Sequence, residues 1–353
     1  MTQIAFNVIK VLGTSAIASM VAILWSPLLI NFLYKHQLWK KSARTKAMSG
    51  EDAVVFNALH KERETRVPRM GGLLIFGTTV LVVLLFYITS SFFPNSLLSQ
   101  FNFLSRSQTW LPISVFIAAS LFGLLDDMLT VFGIGKYIGG GISFTKRLGI
   151  VILIGLVAAF WFYAKLQWDV VSVPLLGPVS LGFFYIPFFI VVMVACWSGG
   201  IVDGLDGLAG GTFASIFGAF TIISFAQNKY DLATFCAVIT GTLFAFLWFN
   251  IPPARFYMTE VGILGLTTTL AVIAFLTDSV LVLPIIAGIL VLEVGSVIIQ
   301  LLSKKFRKKK IFLSTPIHHH FEAIGWPAYK VTMRFWIIGI VLAIIGVVIK
   351  LAG

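Results

Sequence analysis

Long apolar runs separated by short polar segments make up nearly the whole chain. The runs fall at residues 8–33, 70–92, 110–126, 147–165, 183–198, 207–226, 232–249, 261–276, 279–302 and 334–352. A hydrocarbon core about 30 Å thick takes about 20 helical residues. The alternating ten-residue pattern of a membrane barrel is missing. The pattern predicts an all-α integral membrane protein with about ten transmembrane helices, folded as a single polytopic domain over residues 1–353. The boundary at Thr277-Asp278 follows from length. An unbroken helix over 261–302 would run about 63 Å at 1.5 Å per residue, twice the core. The first run has only Lys10 before it and no small-residue cleavage site, so it reads as a retained helix. Asp169 to Phe183 alternates around Leu-Gly-Pro and predicts a short hairpin.

The polar positions fix an orientation. The segments 35–69, 127–147, 199–206, 250–260 and 303–334 lie on one side of a ten-span chain and hold 21 of the 26 Lys and Arg. The other side holds Lys10, Arg106, Lys165, Lys229 and Lys350. By the positive-inside rule the first set is cytoplasmic, and both termini are periplasmic, as is the hairpin. The net charge of +12 is thus a property of one face. It suits anionic lipid and phosphate-bearing substrates, and calls for no nucleic-acid partner. Hydrophobic residues make up 58% and charged residues 11%, with mean hydropathy +0.98, which excludes an ordinary soluble domain. Cys196 and Cys236 sit in apolar runs and read as small buried hydrophobes.

Only 14 residues are acidic, yet Asp126, Asp127, Asp203, Asp206 and Glu260 all fall at the cytoplasmic ends of spans. Carboxylates at the edge of hydrocarbon need partners. Hard oxygens clustered at an aqueous boundary suit Mg²⁺ shared with a phosphate. Asp126 and Asp127 end the third span, where neighbours point about 100° apart, so one can face metal and the other substrate or a basic partner. Asp203-Gly204-Leu205-Asp206-Gly207 opens the sixth span. Its i, i+3 spacing would put both carboxylates on one helical face, against the plainer reading of helix capping. Between Asn250 and Gly262, Arg255 could meet a phosphate, Tyr257 could stack on a base, and Glu260 could reach a metal. His318, His319 and His320 diverge too much for tetrahedral zinc and fit better as donors to phosphate oxygens. Gly133 to Gly141 lacks the spacing of a P-loop. Glu293 lies within a span, open to a structural or a site role.

Taken together, these segments resemble the polyprenyl-phosphate N-acetylhexosamine-1-phosphate transferase superfamily. The resemblance runs through Pro68-Arg-Met-Gly-Gly72, Gly123-Leu-Leu-Asp-Asp127, Asp203 to Ala209, Asn250 to Gly262 and Pro316 to Glu322. The last segment, continuing through Gly325-Trp326 and Arg334-Phe-Trp336, looks most like the branch acting on muramoyl-pentapeptide donors. The resemblance implies a Mg²⁺-dependent enzyme of the bacterial inner membrane. It would move phospho-MurNAc-pentapeptide from a UDP-linked amino-sugar donor to the polyprenyl acceptor undecaprenyl phosphate, giving lipid I and UMP in peptidoglycan synthesis. By resemblance, Asp126, Asp127 and Asp203 are catalytic, with Asp126 a base toward the lipid phosphate. Gly204, Leu205, Asp206, Asn250 and Tyr257 line the nucleoside pocket. Glu260, with Asp127, holds metal, and the three histidines form the family's histidine motif. A homodimer is the family expectation.

Four positions depart from the family pattern. Glu260 stands for Asp and is about 1.5 Å longer. Gly200 stands for Asn, Thr130 for a Lys, and Arg69 for Thr. The departures bear on the sugar donor, so a related UDP-HexNAc transferase is the alternative within the enzyme class. A transporter would suit intramembrane carboxylates, but these acids gather at one face rather than the midplane. A non-catalytic lipid-binding homologue is the remaining alternative.

Overall fold

The computed structural model describes residues 2–41, 65–135, 140–174 and 176–353. The basic residues within 42–64, and positions 136–139 of the glycine-rich stretch, lie outside the described residues. The chain forms α1 (Gln3–Lys35), α2 (Gly72–Phe92), α3 (Trp110–Val131) and α4 (Phe144–Phe160), the last prolonged by a π turn over Trp161–Lys165. A hairpin follows, β1 (Val170–Val173) and β2 (Gly177–Ser180), in antiparallel register with Val170 opposite Ser180. The remainder is α5 (Tyr185–Ser198), α6 (Leu208–Ala226), α7 (Tyr230–Asn250), α8 (Thr259–Leu276), α9 (Leu283–Ile286), α10 (Gly288–Arg307), α11 (Ile317–Ala323) and α12 (Ala328–Ala352). The predicted all-α class and the hairpin are both present.

Among the described residues, nine helices are long and apolar enough to cross a membrane. The predicted break at Thr277-Asp278 is real: α8 ends at Leu276, and Asp278 turns with φ 49°. The predicted span over 279–302 differs. Pro284 starts the short α9, the chain bends at Ala287, and α10 then runs to Arg307. Lys304, Lys305 and Arg307 favour that extension by facing the helix's negative end. Glu293, Ser296, Gln300 and Ser303 of α10 turn inward, while Leu292, Ile299, Leu302 and Phe306 face out. The helix is amphipathic with its apolar face outward, the sense that suits lipid.

Helix α8 is the axis of the bundle, and nearly every one of its residues is buried. It packs chiefly on α3, and also touches α2 and α5; α7 holds α1 and α6. A helix apolar all round belongs in such a place. Its hydroxyls are satisfied internally: Thr267 and Thr268 donate to the carbonyls of Ile263 and Leu264, each at 2.7 Å. Two glycines let backbones touch where the site lies. A Cβ on Gly72 would strike the Gly262 backbone, and one on Gly123 would strike the Glu260 carbonyl. These two contacts bring α2, α3 and the start of α8 together.

Candidate active site

The third span runs past the acidic pair to Val131, so Asp126 and Asp127 sit inside α3 rather than ending it. Both are fully buried. They point apart, as adjacent helical positions must. Asp126 Oδ1 accepts the Ile142 N–H at 2.6 Å, and Oδ2 lies 3.1 Å from Arg147 Nε. Asp127 Oδ1 accepts Arg69 Nη2 at 3.0 Å. Its Oδ2 accepts the Thr259 hydroxyl at 2.6 Å and the Val261 N–H at 3.0 Å. Buried carboxylates persist only with such pairing. Arg147 also reaches Glu260 through Nη1, so one guanidinium bridges Asp126 and Glu260.

The Pro68 to Gly72 strip runs beside Tyr257 and Met258, just before α8. Tyr257 N–H donates to Pro68 O at 2.9 Å, Gly71 N–H to Tyr257 O at 2.7 Å, and Gly72 N–H to Met258 O at 3.0 Å. That pairing sets Arg69 against Asp127. Burial would lower the pKa of the Arg69 guanidinium, but the Asp127 carboxylate outweighs this and raises it above its ordinary value. Arg69 thereby stays charged among carboxylates.

The segment 203–207 is not helical. Asp203 has φ −77° and ψ 53°, and α6 begins at Leu208 behind Gly207 in the left-handed region. The expected single helical face for Asp203 and Asp206 is therefore absent, and so is capping of α6. The two carboxylates instead hold the Asn250–Glu260 loop. Asp206 Oδ2 accepts Ala254 N–H at 3.1 Å, and Asp203 Oδ2 accepts Thr259 N–H at 2.9 Å. The chain turns here because of Gly207, whose φ is 79°. Burial pushes the Asp203 carboxyl up to about 6, against the pull of the Thr259 N–H and of Arg69.

Asn250 is buried with both ends of its amide engaged. Oδ1 accepts Gly207 N–H at 3.0 Å, and Nδ2 donates to Phe256 O at 2.8 Å. Leu205 is buried beneath the same loop. From α12, Thr332 donates to Asp206 O and Trp336 to Gly207 O, each at 3.1 Å. Gly200 leaves no room for the family's Asn, because Ile263 Cγ2 occupies the place a Cβ would take.

The histidines diverge onto three partners. His318 is fully buried, with Nδ1 2.8 Å from Glu293 Oε2. Its Nε2 faces Gly204, where any Cβ would collide with it. His319 Nδ1 pairs with Glu322 Oε2 at 2.7 Å, and His320 Nδ1 accepts Leu313 N–H at 3.2 Å. Trp326 stacks on Phe321 with ring centroids 4.8 Å apart, and the Arg334 guanidinium lies 4.3 Å from the Trp326 centroid. Glu293 thus meets the site through His318.

The structure therefore gathers Asp126, Asp127, Asp203, Asp206 and Glu260 around the segment from Ala254 to Val261, which includes the Tyr257 backbone, with Gly204 and His318 beside it. Arg255 lies in that segment, but its side chain is left out. It is exposed on the Pro252-Pro253 turn and is held by its backbone, with N–H donating to Phe249 O at 2.8 Å. Sequence reasoning passed over Arg147 and Thr259, and noted Arg69 only as a departure. Arg147 carried a weak signal as a charge just inside a span. Thr259 carried none.

Among the described residues no three His, Cys, Asp or Glu side chains converge as a ready metal centre. The donor set nevertheless suits a hydrated Mg²⁺, which needs only one or two carboxylates plus substrate phosphate. Arg147 already stands as a cation between Asp126 and Glu260. Buried Asp126 Oδ2 accepts no hydrogen bond among the described residues. Asp127 keeps a lone pair on Oδ1 beyond the one used by Arg69.

Comparison with known proteins identifies the family. The model for glycosyl transferase family 4 matches residues 109–278, a stretch that holds every carboxylate of the assembly. A phospho-N-acetylmuramoyl-pentapeptide-transferase of Anoxybacillus flavithermus is 32% identical over 342 residues, covering 96% of this chain and 98% of that protein. Proteins of the same name from a Geobacillus species and from Halalkalibacterium halodurans are each 35% identical over 295 residues, covering 82% of this chain and 85% of theirs. This chain, a multi-pass transferase built on helices, belongs to the phospho-N-acetylmuramoyl-pentapeptide-transferase family.

Proposed function

We propose that the chain transfers phospho-MurNAc-pentapeptide from its UDP-linked donor to undecaprenyl phosphate, with Mg²⁺, at the cytoplasmic face of a bacterial inner membrane. An oxygen of the lipid phosphate attacks the sugar-linked phosphorus of the donor. A new P–O–P bond to the lipid forms, the old one breaks, and UMP leaves with its electron pair. The observation that carries this reading is the convergence of three carboxylates, Asp126, Asp127 and Glu260, on two guanidiniums at one end of the bundle, with Asp203 tied to the same segment through the Thr259 N–H. Charge density of that kind suits reaction between two anionic phosphates, where positioning and neutralisation do most of the work.

Asp126 Oδ2 accepts the proton of a protonated lipid phosphate. Arg69 and Arg147 neutralise substrate oxygens, Arg147 by moving between Asp126, Glu260 and the diphosphate. The 203–207 loop and Tyr257 take the nucleoside, and His318 presents Nε2 beside them. Asp127 and Glu260 hold Mg²⁺, which when bound neutralises the diphosphate. With the amphipathic α10 as a tenth crossing beside the nine apolar helices, both termini lie outside, in line with the 21 of 26 basic residues on the opposite side. The site's place at helix ends lets a lipid tail stay in hydrocarbon while the nucleotide arrives from water.

The test is UMP release by purified protein with undecaprenyl phosphate, comparing UDP-MurNAc-pentapeptide with UDP-GlcNAc, each with Mg²⁺ and with EDTA. Mg²⁺-dependent release from the muramoyl donor is expected. Release from UDP-GlcNAc alone would replace the donor, and release from neither would overturn the reading.

A further inference from the structure

We propose that Thr259 is a positioning residue that sets the direction of two carboxylates, Asp127 and Asp203, and locks the Pro68–Gly72 strip to them. This rests on the transferase reading above. Thr259 adopts φ 55°, a region where a β-branched residue is a genuine outlier. Glycine would sit there without strain. Such conformations persist where the surroundings over-determine them, and they gather at functional sites.

The surroundings of Thr259 do over-determine it. Its hydroxyl donates to Asp127 Oδ2 at 2.6 Å and accepts the Met70 N–H at 3.0 Å. Its own N–H donates to Asp203 Oδ2 at 2.9 Å. Met70, on the other end of one of these bonds, is itself at φ 67°. Two non-glycine residues in the left-handed region thus brace each other beneath the acidic pair. The side chain is 6% exposed, so water cannot replace its hydroxyl. The short bond to Asp127 has the length of a charge-assisted one. It fixes which oxygen of Asp127 faces the protein and which is left to Arg69 and substrate. Because the N–H and the hydroxyl come from one residue, any rotation of Asp127 is coupled to the place of Asp203.

The experiment compares Thr259→Ser, Thr259→Gly and Thr259→Val in the purified full chain, reading UMP release and melting temperature. Serine keeps the hydroxyl, so turnover within about threefold of the parent is expected. Glycine relieves the backbone but removes the hydroxyl, and kcat should fall roughly 10- to 100-fold, as for loss of a hydrogen bond to a charged group. The donor KM should move less than about twofold, since the bond serves the reacting groups. Valine should match glycine in kcat. Should it fail to fold, serine and glycine decide. A glycine variant as active as the parent would overturn the proposal, as would a loss confined to KM or a serine variant as slow as glycine. A parent chain that releases no UMP would count against the transferase reading instead. In that case the melting temperatures of Thr259→Val, Asp127→Asn and the double variant still decide, with non-additive changes expected and additive ones fatal to the proposal.

Discussion

Removing the Arg69 guanidinium tests whether the acidic site is held together by internal charge pairing. Arg69 Nη2 lies 3.0 Å from Asp127 Oδ1, and the Asp127 side chain has no exposure. Arg69→Met keeps a chain of similar length and leaves that oxygen without its cation. Breaking a buried pair from one side costs about 3–5 kcal/mol. Asp127 retains two bonds on Oδ2, so the lower end applies, roughly 3 kcal/mol. In detergent this should appear as a fall of several degrees in melting temperature. Asp127→Asn removes the buried charge that needs the cation. The double variant should therefore lose less than the two single losses added together, by more than about 0.5 kcal/mol. Arg69→Lys should recover part of the loss, because only one Arg69 donor reaches Asp127. A methionine variant melting within a degree of the parent, or a strictly additive cycle, would refute the argument that Arg69 holds Asp127.

Three further outcomes follow from the same geometry. Burial raises the Asp203 carboxyl from its ordinary 3.8 to about 6, so between these values the folded chain binds more protons than the unfolded one, and stability falls as pH rises from 4 to 6; kcat/KM needs the ionised form and should drop below about pH 6, whereas an acid limb under pH 5 would contradict the raised value. Gly200→Asn should destabilise by about 1–3 kcal/mol through overpacking against Ile263, and Gly200→Asn with Ile263→Ser should melt above the single variant; equal melting of the two would show that Ile263 is not the obstacle. Glu293→Gln should lower turnover roughly 10-fold or more by taking the carboxyl partner from His318 Nδ1, and parent-like turnover would make Glu293 a packing residue only.

The elements that sequence revealed best are those whose period depends on one solvent. Apolar runs of bilayer length located the spans, because each had to bury its own backbone in hydrocarbon. The break at Thr277-Asp278 was legible for the same reason: no single helix of that length fits. Helix α10 was misjudged at its start because Leu283 to Ile286 is as apolar as the helix that follows, and only Pro284 marks the bend. The gathering of the acidic pair with Glu260 was legible because charge is scarce and costly there, whereas of the three histidines only His318 lies beside it. Asp203 and Asp206 were found, but their geometry was not. The i, i+3 rule presumes a helix, and the left-handed Gly207 ends that presumption.

Arg69, Arg147 and Thr259 were hidden for a different reason, which bears on how the site works. Their meaning lies in pairing across 58, 113 and 132 positions of chain, and no local spacing encodes such a contact. Arg147 looked like one more positive-inside charge, yet it bridges two carboxylates on different helices. A guanidinium in that place offsets part of the cost of burying the two acids before substrate and metal arrive. Under the proposed reaction it yields part of its pairing when a diphosphate and Mg²⁺ enter, because Glu260 serves both. Arg147→Ala should therefore weaken the folded protein more in the absence of Mg²⁺ than in its presence, by about 1 kcal/mol or more, since a bound cation replaces the lost pairing. Melting temperatures of parent and variant, each with EDTA and with millimolar Mg²⁺, provide the check. A variant penalty that does not change with Mg²⁺ would mean that Arg147 and the metal do not share Glu260.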